Sequence, residues 1–161
     1  MATRAQVLIP VAVAAVIIGV VGVLTIPADS KLAEVKFKTG TVKLDDVLLD
    51  VQVAETDSQK VRGLMFQNEL PYNQGMIFVF DQEQVIPIWM QNMQFSLDII
   101  WFDAKGNVVQ IERNVPPCKS ALETSMCPVQ DANGKKAKYV LEVTAGFVPK
   151  YKINQDSKLA I

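Results

Sequence analysis

Two combinations of side chains in this sequence could carry chemistry. Asp98 interrupts an apolar run and Arg62 lies on the apolar face of a predicted helix. A buried carboxylate beside a guanidinium stays ionised and accepts a forked pair of hydrogen bonds. Trp89 and Asn92 place an aromatic plane beside amide donors and acceptors, which suits sugars or peptides. The sequence therefore predicts a ligand-binding patch, whose candidate residues are Arg62, Trp89, Met90, Asn92 and Asp98.

Each of these residues also has a structural interpretation. Arg62 and Asp98 would form an ion pair that ties the helix to the sheet, because buried pairs are commonly architectural. Trp89 would belong to the core, and Asn92 would bind the backbone of a turn. The residue types alone do not separate these interpretations from ligand binding.

An enzyme that uses Asp98 with Arg62 is a second hypothesis. Its second carboxylate, for general acid and base catalysis, would come from Asp81, Glu83 or Asp103. These three residues fall in polar turns, where carboxylates are usually solvated. The chain contains no histidine, so it lacks the usual general base. No phosphate loop, nucleophile elbow or metal-ligand spacing appears, and we expect no cofactor.

Sulfur atoms offer a third hypothesis, a soft-metal site for Cu(I). Thioether sulfur favours soft ions, although methionine more often fills gaps in a core. Cys118 and Cys127 lie nine residues apart and would form a disulfide in an oxidising compartment. A reactive thiol or a metal-binding pair is the alternative for them. The candidate soft-metal ligands are Met65, Met90 and Met93.

The N-terminal region predicts a membrane anchor. Residues 7–26 contain no charge, and about 20 apolar residues cross a bilayer core as a helix. Arg4 precedes this run, so the positive-inside rule places residues 1–6 in the cytoplasm and the rest of the chain outside. A cleaved signal peptide, with a shorter apolar stretch, is the alternative. The predicted location is the cell membrane, or the exterior if the segment is cleaved.

Beyond the anchor, residues 27–41 are predicted to be a tether and residues 42–161 an extracytoplasmic β-rich domain. The formal net charge of the chain is −1, which provides no basic surface for nucleic acid. The predicted partners are therefore the membrane, through the N-terminal helix, and an unknown small ligand, glycan or envelope protein.

Periodicity and turn residues predict the elements of this domain. Apolar residues alternate over residues 42–54 around a turn or bulge at Asp45-Asp46, which predicts a β-hairpin or a bent strand, and over residues 137–144, which predicts a strand. Residues 97–102 and 108–111 flank a loop that contains Gly106, which is typical of a hairpin. Further short strands are predicted over residues 76–80 and 85–90, and one at the C-terminus.

Helical spacing is confined to short segments. Residues 55–66 have it, with Thr56 or Asp57 as the N-cap, and residues 147–153 predict one helical turn. Residues 112–136 predict a long irregular excursion that the two cysteines would pin. The predicted fold is mainly β, a compact β-sandwich or a partly open barrel with one or two short helices, preceded by the N-terminal transmembrane helix.

Five motifs occur in series along this domain: Arg62-Gly63-Leu64-Met65, Gly75-Met76-Ile77-Phe78-x-Phe80, Trp89-Met90-x-Asn92, Leu97-Asp98-Ile99-Ile100 with Phe102, and Tyr139-Val140-Leu141-Glu142-Val143 through Gly146. In order and spacing they resemble the domain-of-unknown-function 192 family over roughly residues 42–155. The resemblance implies a mainly β-sandwich domain, often secreted or membrane-anchored, without an established activity, substrate or cofactor. Where that family usually reads F-W-M-K-N-T, this chain has Ile88-Trp89-Met90-Gln91-Asn92-Met93, so a basic residue and a hydroxyl are missing.

Overall fold

The computed structural model of the protein describes residues 35–118 and 126–161. The predicted cytoplasmic segment 1–6 and anchor 7–26 lie outside these residues, as does most of the predicted tether 27–41. Within the described ranges, no helix is long and apolar enough to cross a bilayer.

The described residues form nine strands and two short helices. They are β1 (Lys38–Leu44), β2 (Val47–Ala54), α1 (Asp57–Arg62), β3 (Gln74–Gln84), β4 (Ile88–Trp89), β5 (Leu97–Phe102), β6 (Val108–Val115), β7 (Val129–Gln130), β8 (Ala137–Thr144), α2 (Phe147–Tyr151) and β9 (Leu159–Ala160). The prediction of a mainly β domain with one or two short helices is confirmed.

Seven strands form one sheet in the order β6-β5-β8-β3-β2-β1-β9, and β4 and β7 form a separate pair. Neighbours in the large sheet run antiparallel except β2 and β3, which are parallel. A parallel pair requires a crossover connection, and α1 lies within it. The sheet curls into a half-barrel, which corresponds to the partly open barrel and not to the sandwich.

The first hairpin follows its predicted alternation. Val42 and Leu44 on β1 and Leu49 and Val51 on β2 are buried, so one face of the hairpin packs inward. Asp45 adopts a positive φ of 51° in the turn, a conformation that aspartate tolerates better than most residues. The strand begins at Lys38, inside the segment for which a tether was predicted.

A capping box starts helix α1 at Thr56, one of the two predicted N-caps. The backbone amide of Gln59 donates to Thr56 Oγ1, and the backbone amide of Thr56 donates to Gln59 Oε1, so two donors at the helix start are satisfied. Gly63, with φ of 47°, ends the helix. The helix is therefore shorter than the predicted segment 55–66, because its last residue is Arg62.

Two described parts of the region predicted to be irregular, residues 112–136, belong to strands. Strand β6 continues through Val115 beside β5, and β7 pairs with β4. Strand β8 has the predicted bounds and lies between β5 and β3. Apolar clusters cover both faces of the sheet there, so side chains on both faces of β8 are buried.

Candidate functional site

A cleft of about 210 Å³ lies beside helix α1. Its walls come from α1 and the turn after it, from β3, and from the segment 84–93. Most of its lining is apolar, and the polar members are Lys60, Arg62, Gln84 and Glu142. The apolar members are Val61, Leu64, Met65, Phe78, Phe80, Val85, Ile86, Pro87, Ile88, Trp89 and Met93, with Gly63 between the helix and the turn.

Gly63 allows the helical wall to approach the sheet closely. A β-carbon at this position would lie 3.3 Å from the ring of Phe78, and the positive φ disfavours a side chain as well. The Arg62-Gly63-Leu64 stretch thus turns sharply, leaving Arg62 at the cleft and burying Leu64.

The segment after β3 forms the opposite wall. The indole N–H of the buried Trp101 donates to the backbone oxygen of Ile86 at 3.1 Å, which fixes the start of the segment. Trp89 pairs with Val129 across the β4-β7 ladder. The Trp89 side chain is 37% exposed, so it forms part of the rim and not of the core.

The two cations of the cleft stack on aromatic rings. Lys60 Nζ lies 4.6 Å from the centroid of Phe80, and Arg62 Cζ lies 4.8 Å from the centroid of Phe66. Contacts at these distances are cation–π interactions. Arg62 and Asp98 are both among the described residues and do not form the predicted ion pair; the Arg62 guanidinium stacks on Phe66 instead.

Asp98 binds three backbone amides, one near the end of β6 and two at the start of α2. Its carboxylate accepts hydrogen bonds from the amides of Asn114 at 2.8 Å, Gly146 at 3.1 Å and Val148 at 2.8 Å. The last two donors lie at the N-terminus of α2, which has no cap from its own side chains. Asp98 is 1% exposed and does not line the cleft, so it is a structural staple with partners other than Arg62.

Glu142 occupies the cleft at its junction with the sheet. It lies on β8 between Met76 of β3 and Ile99 of β5 and is 4% exposed. Within the described ranges, its carboxyl group has no hydrogen-bond or ion-pair partner. No side-chain oxygen or nitrogen of these residues is both sealed from solvent and unpaired. The Glu142 carboxyl therefore opens into the cleft.

Burial controls the protonation of this carboxyl group. Desolvation raises the pKa of Glu142 from its ordinary 4.5 to about 8, because burial disfavours the charged form. The group is consequently a neutral carboxylic acid at neutral pH, with one O–H donor and a free carbonyl acceptor. Glu142 is also the single carboxyl group among the cleft-lining residues.

Asn92 and Met90 lie outside this cleft. Asn92 has φ of 55°, and its backbone oxygen accepts from the amide of Phe66 at 3.0 Å. Its side-chain amide donates to Met65 Sδ at 3.9 Å, which is a different contact from the predicted one with the backbone of a turn. Met90 is buried and lines a second cleft of about 260 Å³, which is bordered by Val115, Pro116, Pro117, Cys118, Met126, Pro128 and Gln130. Of the five candidate ligand-binding residues, the structure brings Arg62 and Trp89 together.

Cys118 and Cys127 form the predicted disulfide. Their sulfur atoms are therefore not available as thiolate ligands. Met65 and Met93 border the first cleft, whereas Met90 borders the second, so the three predicted soft-metal ligands are divided between two clefts. Within the described ranges, no group of three or more His, Cys, Asp or Glu residues could hold a metal ion.

The disulfide also holds the wall that carries Trp89. The amide of Cys118 donates to the backbone oxygen of Met90 at 2.9 Å, and the amide of Asn92 donates to that of Cys118 at 3.1 Å. The other cysteine, Cys127, precedes β7, whose Val129 pairs with Trp89. The disulfide thus links two segments that both bind the wall of the cleft.

Sequence reasoning did not select Glu142 as a site residue, although the motif Tyr139 to Val143 contains it. The available signal was a lone acid within a strand whose neighbours Val140, Leu141 and Val143 are all apolar. Whether this acid is buried depends on the position of β8 inside the sheet, since an edge strand would expose the same side chain to water.

Comparison with known proteins identifies the family and the fold. A crystal structure of a candidate transcription regulator from Sinorhizobium meliloti matches with a TM-score of 0.70 and 26% identity, over 79% of this chain and 96% of that one. A structure of a protein of unknown function from Novosphingobium aromaticivorans matches with a TM-score of 0.70 and 24% identity, over 80% of this chain and 89% of that one.

No curated protein matches the chain. The model of the DUF192 family, described as an uncharacterized ACR, matches residues 40–161. This range contains the five motifs noted in the sequence and every residue that lines the cleft. The chain therefore belongs to the DUF192 family.

Proposed function

We propose that this protein is a binding module whose small, mainly apolar ligand occupies the cleft beside α1. The proposal rests on the environment of the Glu142 carboxyl group. It is buried, it faces an apolar cleft, and it has no partner among the described residues. Burying a polar group without a partner costs free energy, and perturbed carboxyl groups in clefts are concentrated at functional sites. A bound ligand would supply the missing partner.

The size of the cleft sets the size of the ligand. Clefts that hold drug-sized ligands have volumes of about 300–1,000 Å³, whereas this one measures about 210 Å³. It suits a ligand built on a single ring. Val61, Val85 and Trp89 are exposed apolar residues of the lining, and they would cover such a ring. A glycan would find few hydrogen-bonding groups on these walls.

The proposed location of the module is outside the cytoplasm, on a single-pass membrane anchor. The Cys118 to Cys127 disulfide supports this location, because disulfides persist in oxidising compartments. The uncharged segment 7–26 supports the anchor. Protease treatment of spheroplasts, in which only the cytoplasmic membrane shields proteins, tests the orientation, and digestion of the domain only after that membrane is lysed would contradict it.

Ligand-observed NMR on the full-length protein in lipid nanodiscs tests the binding function. The probes are toluene, indole and benzamide, each of which carries one ring. We expect at least one probe to bind at a single site with a Kd of about 1 mM, the affinity that a fragment of this size reaches. Trp89→Ala should weaken it about tenfold, because that side chain forms part of the rim.

The control variant is Leu48→Ala. Leu48 is a 64% exposed apolar residue on β2 and does not line the cleft, so its loss should leave probe affinity unchanged. If none of the three probes binds at about 10 mM, or if both variants weaken binding equally, the proposed function is wrong.

A further inference from the structure

We propose that the cleft selects a neutral small molecule with a carboxamide-type head group, which exchanges two hydrogen bonds with the carboxyl group of Glu142. This inference rests on the proposed function and specifies its ligand. In the pairing, the O–H of Glu142 donates to the carbonyl oxygen of the ligand, and the N–H of the ligand donates to the carbonyl oxygen of Glu142. Both polar atoms of Glu142 are then satisfied.

The charges around the cleft argue against a cationic ligand. Lys60 and Arg62 are the charged residues of the lining besides Glu142, and both would repel a cation at the mouth. The residues opposite Glu142 on the adjacent strands are Met76 and Ile99, which carry no charge. The remaining polar lining residue, Gln84, is neutral. Burial raises the pKa of Glu142, so Lys60 and Arg62 do not hold its carboxyl group in the ionised form that would attract a cation.

The protonation of Glu142 argues for the same ligand class. Burial raises the pKa of this carboxyl to about 8, so the acid form that can donate a hydrogen bond predominates at neutral pH. An unsatisfied buried donor costs more than a made hydrogen bond contributes. A ligand that offers both an acceptor and a donor therefore gains the most binding free energy from Glu142. A planar carboxamide presents both groups on one edge.

The apolar lining defines the rest of the ligand. Phe78, Ile86 and Ile88 are buried apolar residues that line the cleft beside the Glu142 carboxyl. Burial of apolar area contributes about 25 cal/mol per Å², and a hydrocarbon ring fills such a space without leaving polar atoms unpaired. The ligand class is thus a carboxamide carried directly on one ring.

Three ligands of equal shape test the head group: benzamide, benzoate and benzamidinium. They share the ring and the planar head group and differ in charge. Their affinities are measured by ligand-observed NMR on the full-length protein in nanodiscs, at about pH 6.5 and about pH 9.5, on either side of the Glu142 pKa. At the lower pH we expect benzamide to bind about tenfold more tightly than either ion.

Comparison of the two pH values distinguishes the contribution of Glu142 to benzamide affinity from that of the other contacts. Apparent affinity falls with the fraction of protein in the binding-competent form, so benzamide should lose about tenfold to thirtyfold in affinity at the higher pH. Glu142→Gln keeps an uncharged donor and acceptor at both pH values, and it should bind benzamide equally at both. Circular dichroism at each pH checks that both proteins are folded.

Four results would overturn the inference. Three of them are tighter binding than benzamide by benzamidinium, by benzoate, or by N-acetylphenylalanine amide, a probe for a carboxamide that belongs to a peptide. The fourth is an equal pH dependence of benzamide affinity in the wild type and in Glu142→Gln. In these cases a ring still occupies the cleft and the proposed function stands. Failure of every probe to bind at either pH would instead remove the proposed function itself.

Discussion

The carboxylate of Asp98 accepts a hydrogen bond from the backbone amide of Val148 at 2.8 Å, although the two residues lie fifty positions apart in the chain. The same oxygen also binds the amide of Gly146, and the other oxygen binds that of Asn114. A single buried side chain thus joins strand β5, the end of β6 and the start of α2.

Replacement of Asp98 by Asn should destabilise the protein by about 2–3 kcal/mol, because the new amide group would place a donor against backbone donors. The measurement is urea unfolding followed by circular dichroism. Asp46→Asn is the matched control, since Asp46 is fully exposed in a surface ion pair with Lys43 and its loss should leave the free energy of unfolding nearly unchanged. Equal effects of the two variants would show that Asp98 has no structural role.

The buried Glu142 predicts a stability that depends on pH. Its folded pKa of about 8 lies above the ordinary value of 4.5, so between these values the folded protein holds a proton that the unfolded chain has released. Stability should therefore be highest below about pH 4.5 with respect to this group, and should fall as pH rises to about 8. The total decrease has an upper limit on the order of 4–5 kcal/mol.

Glu142→Gln should remove this pH dependence while keeping the volume of the side chain. We expect the variant to exceed the wild type in stability by several kcal/mol above about pH 8, where the wild type carries a buried charge. Urea unfolding over a pH series measures the difference. Parallel curves for the two proteins would contradict the assignment of the slope to Glu142.

Two glycines with positive φ distinguish the cost of a steric clash from the cost of an unfavourable backbone conformation. A β-carbon on Gly106 would clash with the backbone oxygen of Leu159, whereas one on Gly134 would meet no atom within 4 Å. Gly134→Ala should cost about 1 kcal/mol, from the conformation alone. Gly106→Ala should cost at least about 3 kcal/mol, because it also displaces β9. Thermal unfolding compares them, and equal costs would show that β9 does not pack against Gly106.

The disulfide should stabilise the cleft wall as well as the whole domain. Replacing both Cys118 and Cys127 by Ala should lower the free energy of unfolding by about 2–3 kcal/mol, as expected for a short closed loop. Amide hydrogen exchange should accelerate most at residues 88–92, which bind the backbone of Cys118 and strand β7. Uniform acceleration across all strands would instead indicate a global effect.

Removal of the disulfide should also weaken the binding of benzamide. Trp89 pairs with Val129 just beyond Cys127, so without the disulfide the rim loses one of its supports. We expect benzamide to bind about threefold to tenfold more weakly to the double cysteine variant, measured by ligand-observed NMR at about pH 6.5. Unchanged affinity would show that β4 keeps its position without the disulfide.

Features that depend on neighbouring residues can be predicted from local patterns in the sequence. Alternation around Asp45-Asp46 predicted a hairpin or a bent strand, and helical spacing after Thr56 or Asp57 predicted the start of α1, because both patterns involve residues only a few positions apart. The short spacing of Cys118 and Cys127 likewise predicted their disulfide. The motif series was sufficient for the family.

The set of groups that share the site depends on long-range contacts, which no local pattern contains. Asp98 and Glu142 are both acids in apolar strands, and no local pattern distinguishes them. Strand pairing brings three backbone amides to Asp98, while β3 and β5 bury Glu142 beside a cleft that offers no partner. Such differences arise from contacts between residues far apart in the chain. Because of these contacts, Asp98, which was expected to bind a ligand, has a structural role, and Glu142 is the candidate ligand-binding residue.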